Sequence, residues 1–151
     1  MKPAKWRTGS PKDWKPRTLR HKQTLFLACV SSLIRFAHGQ GWELTPSDFA
    51  VDQERIRKAL RQLFIDHGLH PATLSDLEFR SIVGHRLDGT HTLKLAADLN
   101  LFIKGRYQKT HCPEWDELGK YWKSLHSLCR WGGDFESKDY NHFSVTHGGK
   151  S

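Results

Sequence analysis

Apolar residues recur every three or four positions in four segments of the chain, a spacing typical of amphipathic helices. The first segment predicts a helix over residues 17–38, which a glycine then closes. A second helix follows Asp52 and ends at Gly68. Residues 73–84 favour a short helix, although their apolar positions also suit a strand. The last helix begins at Pro113. Its apolar stripe consists of Trp115, Leu118, Trp122 and Leu125.

Apolar residues occupy every second position over residues 93–103, which predicts a half-buried strand with Asp98 on its less apolar face. Gly105 then predicts a hairpin turn into a short returning strand, and residues 140–145 predict a further strand. Residues 45–48, Thr-Pro-Ser-Asp, predict a turn. The expected fold class is therefore α+β, a small antiparallel sheet with helices packed around it in a single domain.

Composition and charge limit the classes of protein that fit. The 151 residues are 37% hydrophobic and carry a net charge of +8, so a polyanion is a plausible partner. We expect a loosely ordered basic arm over residues 1–16, one folded domain over residues 17–147 and a flexible tail over residues 148–151. No stretch is apolar enough for a membrane anchor. Three cysteines without CxxC spacing suggest reduced thiols and a cytoplasmic product.

Two short segments combine the residue types of a metal site. His91 lies seven positions before Asp98, and Asp139 lies three positions before His142. Two imidazoles and one carboxylate are a proper ligand set for catalytic Zn²⁺, and a nearby Asp139 could then act as a general base. A regular strand would point His91 and Asp98 to opposite faces, so the chain must bend between them.

The stretches "THTLKLAADLNLF" and "LGKYWKSLHSLCRWGGDFESKDYNHFS" resemble the zinc peptidases that cleave bacterial peptidoglycan stem peptides. This family includes D-alanyl-D-alanine carboxypeptidases and L-alanyl-D-glutamate endopeptidases, and the chain is most similar to its short single-domain phage endolysins. The resemblance is close over residues 89–147 and looser over residues 40–60. It implies that His91, Asp98 and His142 hold Zn²⁺ and that Asp139 is the catalytic carboxylate.

Two positions depart from the family pattern. Gly89 stands where the family usually has a serine, and Val51 stands where an upstream strand usually carries a substrate-binding arginine. Arg55, Arg57, Arg80 and Arg86 are candidates to replace that contact, and Arg80 and Arg86 lie closest to the metal segment in sequence. These two arginines and Thr90, next to the first ligand, are the candidate substrate-binding residues.

The resemblance implies a monomeric phage endolysin of the L-alanyl-D-glutamate endopeptidase type, which waits in the host cytoplasm and degrades the cell wall after release. A D-alanyl-D-alanine carboxypeptidase is the alternative within the family. Outside that activity, a basic nucleic-acid-binding protein would also explain the charge and the six tryptophans, although two of these fit a buried helical face. A relative that binds the wall without cleaving it is the third alternative.

Overall fold

The computed structural model describes residues 6–7, 9–48, 90–91 and 93–149. The helices predicted over residues 52–68 and 73–84 lie outside the described residues. The described chain forms two α-helices and an antiparallel sheet, which confirms the α+β class.

Helix α1 spans Leu19–Gly39, close to the predicted bounds. It begins where it does because Thr18 has an extended backbone and its hydroxyl oxygen accepts a hydrogen bond from the His21 amide at 3.2 Å. Its buried residues recur at helical spacing and form one face. They are Leu25, Phe26, Cys29, Val30, Leu33 and Ala37.

Helix α2 spans Pro113–Leu125, as the sequence predicts. Proline suits its first turn, where the missing N–H would have no helical partner. Trp115, Leu118 and Trp122 are buried, so the predicted stripe belongs to the core. This burial argues against a role for Trp115 or Trp122 as an exposed stacking platform for nucleic acid bases.

The sheet has five described strands, all antiparallel to their neighbours. They are β1 (Trp42–Asp48), β2 (Ala96–Ile103), β3 (Arg106–Tyr107), β4 (Cys129–Trp131) and β5 (His142–Val145). The order is β1-β2-β5-β4, and β3 pairs with the end of β2 through the predicted hairpin at Gly105. Strand β2 is therefore central, with β5 beside its first half.

The predicted turn over residues 45–48 is wrong, because β1 continues to Asp48. Proline is tolerated at this point since β1 is at the edge of the sheet formed by the described strands, where one side of a strand needs no ladder partner. The pairing with β2 also shifts register between Pro46 and Asp48, as a bulge does.

Both helices pack against the apolar face of the sheet. Leu99 and Leu101 of β2 and Phe143 of β5 contribute to this face, and all are buried. The Trp122 ring packs edge-on against Phe143 with 5.6 Å between centroids. Its indole N–H, buried in this core, donates to the carbonyl oxygens of Arg130 and Ser144. Because side chains alternate along a strand, Leu99 and Leu101 on the apolar face leave Asp98 on the opposite face of the sheet.

Two buried cysteines meet between α1 and β4. The three cysteines are free, and the Sγ atoms of Cys29 and Cys129 lie 3.8 Å apart. The neighbouring thiol and burial raise the pKa of Cys129, so this thiol stays neutral and acts as a small core residue.

The basic N-terminal segment contacts the folded part of the chain. Trp14 packs against the core, and its carbonyl oxygen accepts a hydrogen bond from Nε2 of the buried His126 at 3.0 Å. The Trp6 ring stacks on His21. The predicted division into a loosely ordered arm over residues 1–16 and a separate folded domain stays a prediction. Neither described helix has the length and apolar character that a bilayer crossing requires.

Candidate metal centre

Asp98 and His142 are direct partners across two neighbouring strands. Asp98 of β2 lies opposite His142 of β5 in the antiparallel register. Side chains of opposed residues emerge on the same face of a sheet, so the register of β2 and β5 places the carboxylate next to the imidazole. His142 Nδ1 lies 3.0 Å from Asp98 Oδ1.

His91 reaches the same point from a turn that precedes β2. The Lys94 amide donates to the His91 carbonyl oxygen at 3.0 Å, and the Leu95 amide donates to the Thr90 carbonyl oxygen at 2.7 Å. Lys94 has a φ of 57°, which reverses the chain locally. The bend that the odd separation of His91 and Asp98 requires is therefore confirmed.

Helix α1 supports this turn through Gln23. The Gln23 amide nitrogen donates to the Leu93 carbonyl oxygen at 3.0 Å, in a partly buried contact between residues 70 positions apart. The contact fixes the turn that carries His91 relative to the core. Sequence reasoning missed Gln23, because nothing in its local pattern distinguishes it from other helical glutamines.

Three side-chain atoms form a nearly equilateral triangle. His91 Nε2 lies 3.2 Å from His142 Nδ1 and 3.2 Å from Asp98 Oδ1, and the third side is the 3.0 Å contact between His142 and Asp98. Both histidines are buried, and the Asp98 side chain is 18% exposed. The structure thus brings together all three residues that the sequence proposes as ligands.

The charge of Asp98 shows why hydrogen bonds alone do not explain the triangle. Burial by itself would raise the pKa of Asp98, but hydrogen bonds and charge interactions with His142 and His91 outweigh it and hold the pKa well below its usual range. The carboxylate is therefore ionised and has no proton to donate. Each of the two imidazole nitrogens carries at most one proton, so the three contacts share at most two protons.

A tetrahedral zinc ion fits the same triangle. Ligands about 2.0 Å from Zn²⁺ at the tetrahedral angle are about 3.3 Å apart, close to the measured sides. The donor set of two imidazoles and one carboxylate is that of catalytic zinc sites, which keep a fourth position open. The residues present therefore fit Zn²⁺, and His91, Asp98 and His142 would hold it.

Asp139 is attached to this centre through the backbone. Its carbonyl oxygen accepts a hydrogen bond from the His142 amide at 3.1 Å, and its own amide donates to the Gly132 carbonyl oxygen at 3.0 Å. Asp139 as a whole residue is exposed, while its carboxyl group is partly shielded from solvent. Partial burial and the negative charge of Asp98 raise the pKa of Asp139, with an opposing effect of both histidines.

Gly132 is needed here because the chain passes too close for a side chain. A Cβ atom at this position would overlap the carbonyl oxygen of Asp139 and would lie 2.9 Å from the Cβ atom of His142. The "WGGDF" motif thus ends β4 in a short 3-10 turn that places Asp139 next to the ligand His142. The sequence shows the two glycines but not the contacts that require the first.

The three candidate substrate-binding residues remain untested. Arg80 and Arg86 lie outside the described residues. Thr90 is buried beside His91. A role in substrate binding stays a prediction for Arg80, Arg86 and Thr90. Asp134, the acidic residue of the "WGGDF" motif, forms an ion pair with Lys123 of α2 at 2.6 Å.

The comparisons with known proteins bear on the same part of the chain. A family model described as D-alanyl-D-alanine carboxypeptidase matches residues 85–145, a range that covers less than half of the chain and contains the three ligands and Asp139. The comparison with curated proteins finds no match. The family match supports a metallopeptidase that acts on peptidoglycan-related substrates, and peptidases of this family are zinc-dependent.

Proposed function

We propose that this protein is a zinc-dependent peptidoglycan hydrolase that cleaves stem peptides as an L-alanyl-D-glutamate endopeptidase. One observation carries the proposal: two imidazoles and one carboxylate converge at 3.0–3.2 Å, with a further carboxylate held beside them by the backbone. An open tetrahedral position next to a general base is the arrangement used for metal-assisted amide hydrolysis.

The residues divide the chemistry among them. His91, Asp98 and His142 would hold the metal. When bound, Zn²⁺ would polarise the scissile carbonyl group and lower the pKa of a water molecule. Asp139 would accept the proton of this water during attack and would return it to the leaving amine, so that one amide and one water become a carboxylate and an amine.

The biological setting is also a proposal. By resemblance to short phage endolysins, we place the protein in the host cytoplasm until release and at the cell wall afterwards, as a monomer. The net charge of +8 supports contact with the anionic wall. The charge equally fits nucleic acid, but binding of nucleic acid would not explain the convergent ligand set.

Mass analysis of digested peptidoglycan tests the activity. Purified, zinc-loaded protein is incubated with peptidoglycan, and the released fragments are identified together with the zinc content per chain. The endopeptidase should release stem peptides that have lost their N-terminal L-alanine, which stays attached to the glycan. Zinc binding without any released fragment would favour the wall-binding relative that does not cleave.

A D-alanyl-D-alanine carboxypeptidase is the second candidate, because the matched family model carries that description. The same digestion separates the two activities. A carboxypeptidase would remove a single terminal D-alanine from pentapeptide stems and would leave the glycan attachment intact.

A further inference from the structure

A cleft of about 210 Å³ opens beside Asp139. It lies between the loop that follows β3, which contributes Gln108 and Lys109, and the loop before β5, which contributes Lys138 and Tyr140. Pockets for drug-sized ligands have volumes of about 300–1,000 Å³, so this cleft suits one or two residues of a peptide. Because Asp139 lines it, a ligand that reaches the metal centre can extend into it.

Hydrogen bonds and ring contacts fix both walls of the cleft. The backbone N–H of Gln108 donates to the Leu101 carbonyl oxygen at 2.8 Å. On the other wall, the Trp131 indole N–H donates to the Tyr140 carbonyl oxygen at 2.8 Å. The rings of His111 and Tyr140 are 4.6 Å apart and connect the two walls. The cleft is therefore preformed and not an opening between loose loops.

The charge of the cleft is positive. Lys109 and Lys138 line it, and Asp139 is the one carboxylate among its lining residues. In the described part of the chain neither lysine has an ion-pair partner. Lys138 Nζ donates to the Gly133 carbonyl oxygen at 2.9 Å, which holds the ammonium group in place and leaves two of its three N–H groups for a ligand.

We propose that Lys109 and Lys138 bind a free carboxylate of the substrate peptide next to the bond that is cleaved. The chain would then select acidic stem peptides over stem peptides whose carboxylates are amidated. This inference rests on the proposed function, because that function supplies the peptide. Two lysines and one aspartate line the cleft, so its lining has a net positive charge that is complementary to an added anion, whereas a primary amide would gain no charge interaction.

Two soluble stem-peptide fragments test the inference, identical except that the carboxylate flanking the cleaved bond is free or a primary amide. Affinity is measured by calorimetry in a zinc-loaded Asp139→Asn background, so that turnover does not interfere. We expect about tenfold tighter binding of the free acid, and a preference reduced about threefold by Lys109→Met or by Lys138→Met. Higher ionic strength should also weaken the preference.

Lys120→Met is the matched control, because Lys120 is exposed on α2 and does not line the cleft. It should leave the preference unchanged. Lys109→Met keeps the proposal testable if loss of the Gly133 contact perturbs Lys138→Met. Equal affinity for the two fragments, or a preference that neither substitution reduces, would overturn the inference. The protein with intact Asp139 is also tested for cleavage of both fragments. If it cleaves neither but still prefers the free acid, the binding site is supported and the proposed hydrolase is contradicted.

Discussion

At the scale of single residues, the structure assigns different tasks to side chains that the sequence presents together. Three atoms of His91, Asp98 and His142 converge on one point, whereas Asp139 is held beside that point by a backbone hydrogen bond to His142. Removal of a ligand and removal of the general base should therefore have different consequences.

His91→Ala and Asp139→Ala should separate metal binding from catalysis. Loss of the imidazole leaves two ligands, so zinc should be lost on dialysis, and His142→Ala should behave in the same way. Asp139→Ala should keep one zinc per chain while its turnover falls by about 10²- to 10⁴-fold. Elemental analysis and fragment release measure the two effects.

Asp134→Ala is the carboxylate control for this pair. Its partner is the exposed Lys123, so both zinc content and activity should remain near those of the wild type. Near-normal activity of Asp139→Ala would remove the proposed mechanism.

Gly132→Ala tests the close packing of Gly132 against Asp139 and the ligand His142. A Cβ atom here would displace the Asp139 carbonyl group or the His142 side chain. We expect weaker zinc binding and at least about tenfold lower activity, together with a loss of stability of about 1–3 kcal/mol. Gly39→Ala, at an open position of α1, is the control and should change neither zinc binding nor activity. A fully active Gly132→Ala variant would show that the turn can shift without harm.

At the scale of elements, much of the framework is readable from the sequence. The alternation in β2 correctly predicts the face of Asp98, and the helical spacing predicts α1 and α2 closely. The register between Asp98 and His142 is not readable, because it pairs residues 44 positions apart through contacts that no local pattern encodes. The turn predicted near Pro46 failed for a related reason, since proline fits a strand only where that strand lies at an edge, as β1 does among the described strands.

Gln23→Ala tests whether α1 positions the turn that carries His91. The substitution removes the hydrogen bond to Leu93 and leaves a partly buried carbonyl oxygen without that donor. The dissociation constant for zinc should rise by about three- to tenfold, with the helix intact. Zinc titration in competition with a chelator measures the change.

Gln40→Ala is the matched control, because the Gln40 side chain is exposed at the end of α1. Zinc affinity equal to that of the wild type in both variants would mean that α1 does not influence the ligand turn. Reduced affinity in Gln23→Ala alone would extend the metal centre to the helix that packs behind it.

At the scale of the whole molecule, the metal centre connects parts of the chain that are distant in sequence. Its ligands come from the turn before β2, from β2 itself and from β5, and α1 holds the turn. Without the ion, the buried histidines and Asp98 depend on contacts that share at most two protons. A bound ion would therefore stabilise the fold as well as the site.

Zinc should raise the melting temperature of the protein, and only when the three ligands are intact. A ligand that binds only the folded state contributes about 4 kcal/mol at a thousandfold excess over its dissociation constant. For a chain of this size that corresponds to about 10 °C. Scanning calorimetry with zinc and with a chelator should show this difference for the wild type and for Asp139→Ala, but not for His91→Ala. An equal shift in His91→Ala would mean that zinc stabilises the protein from another location.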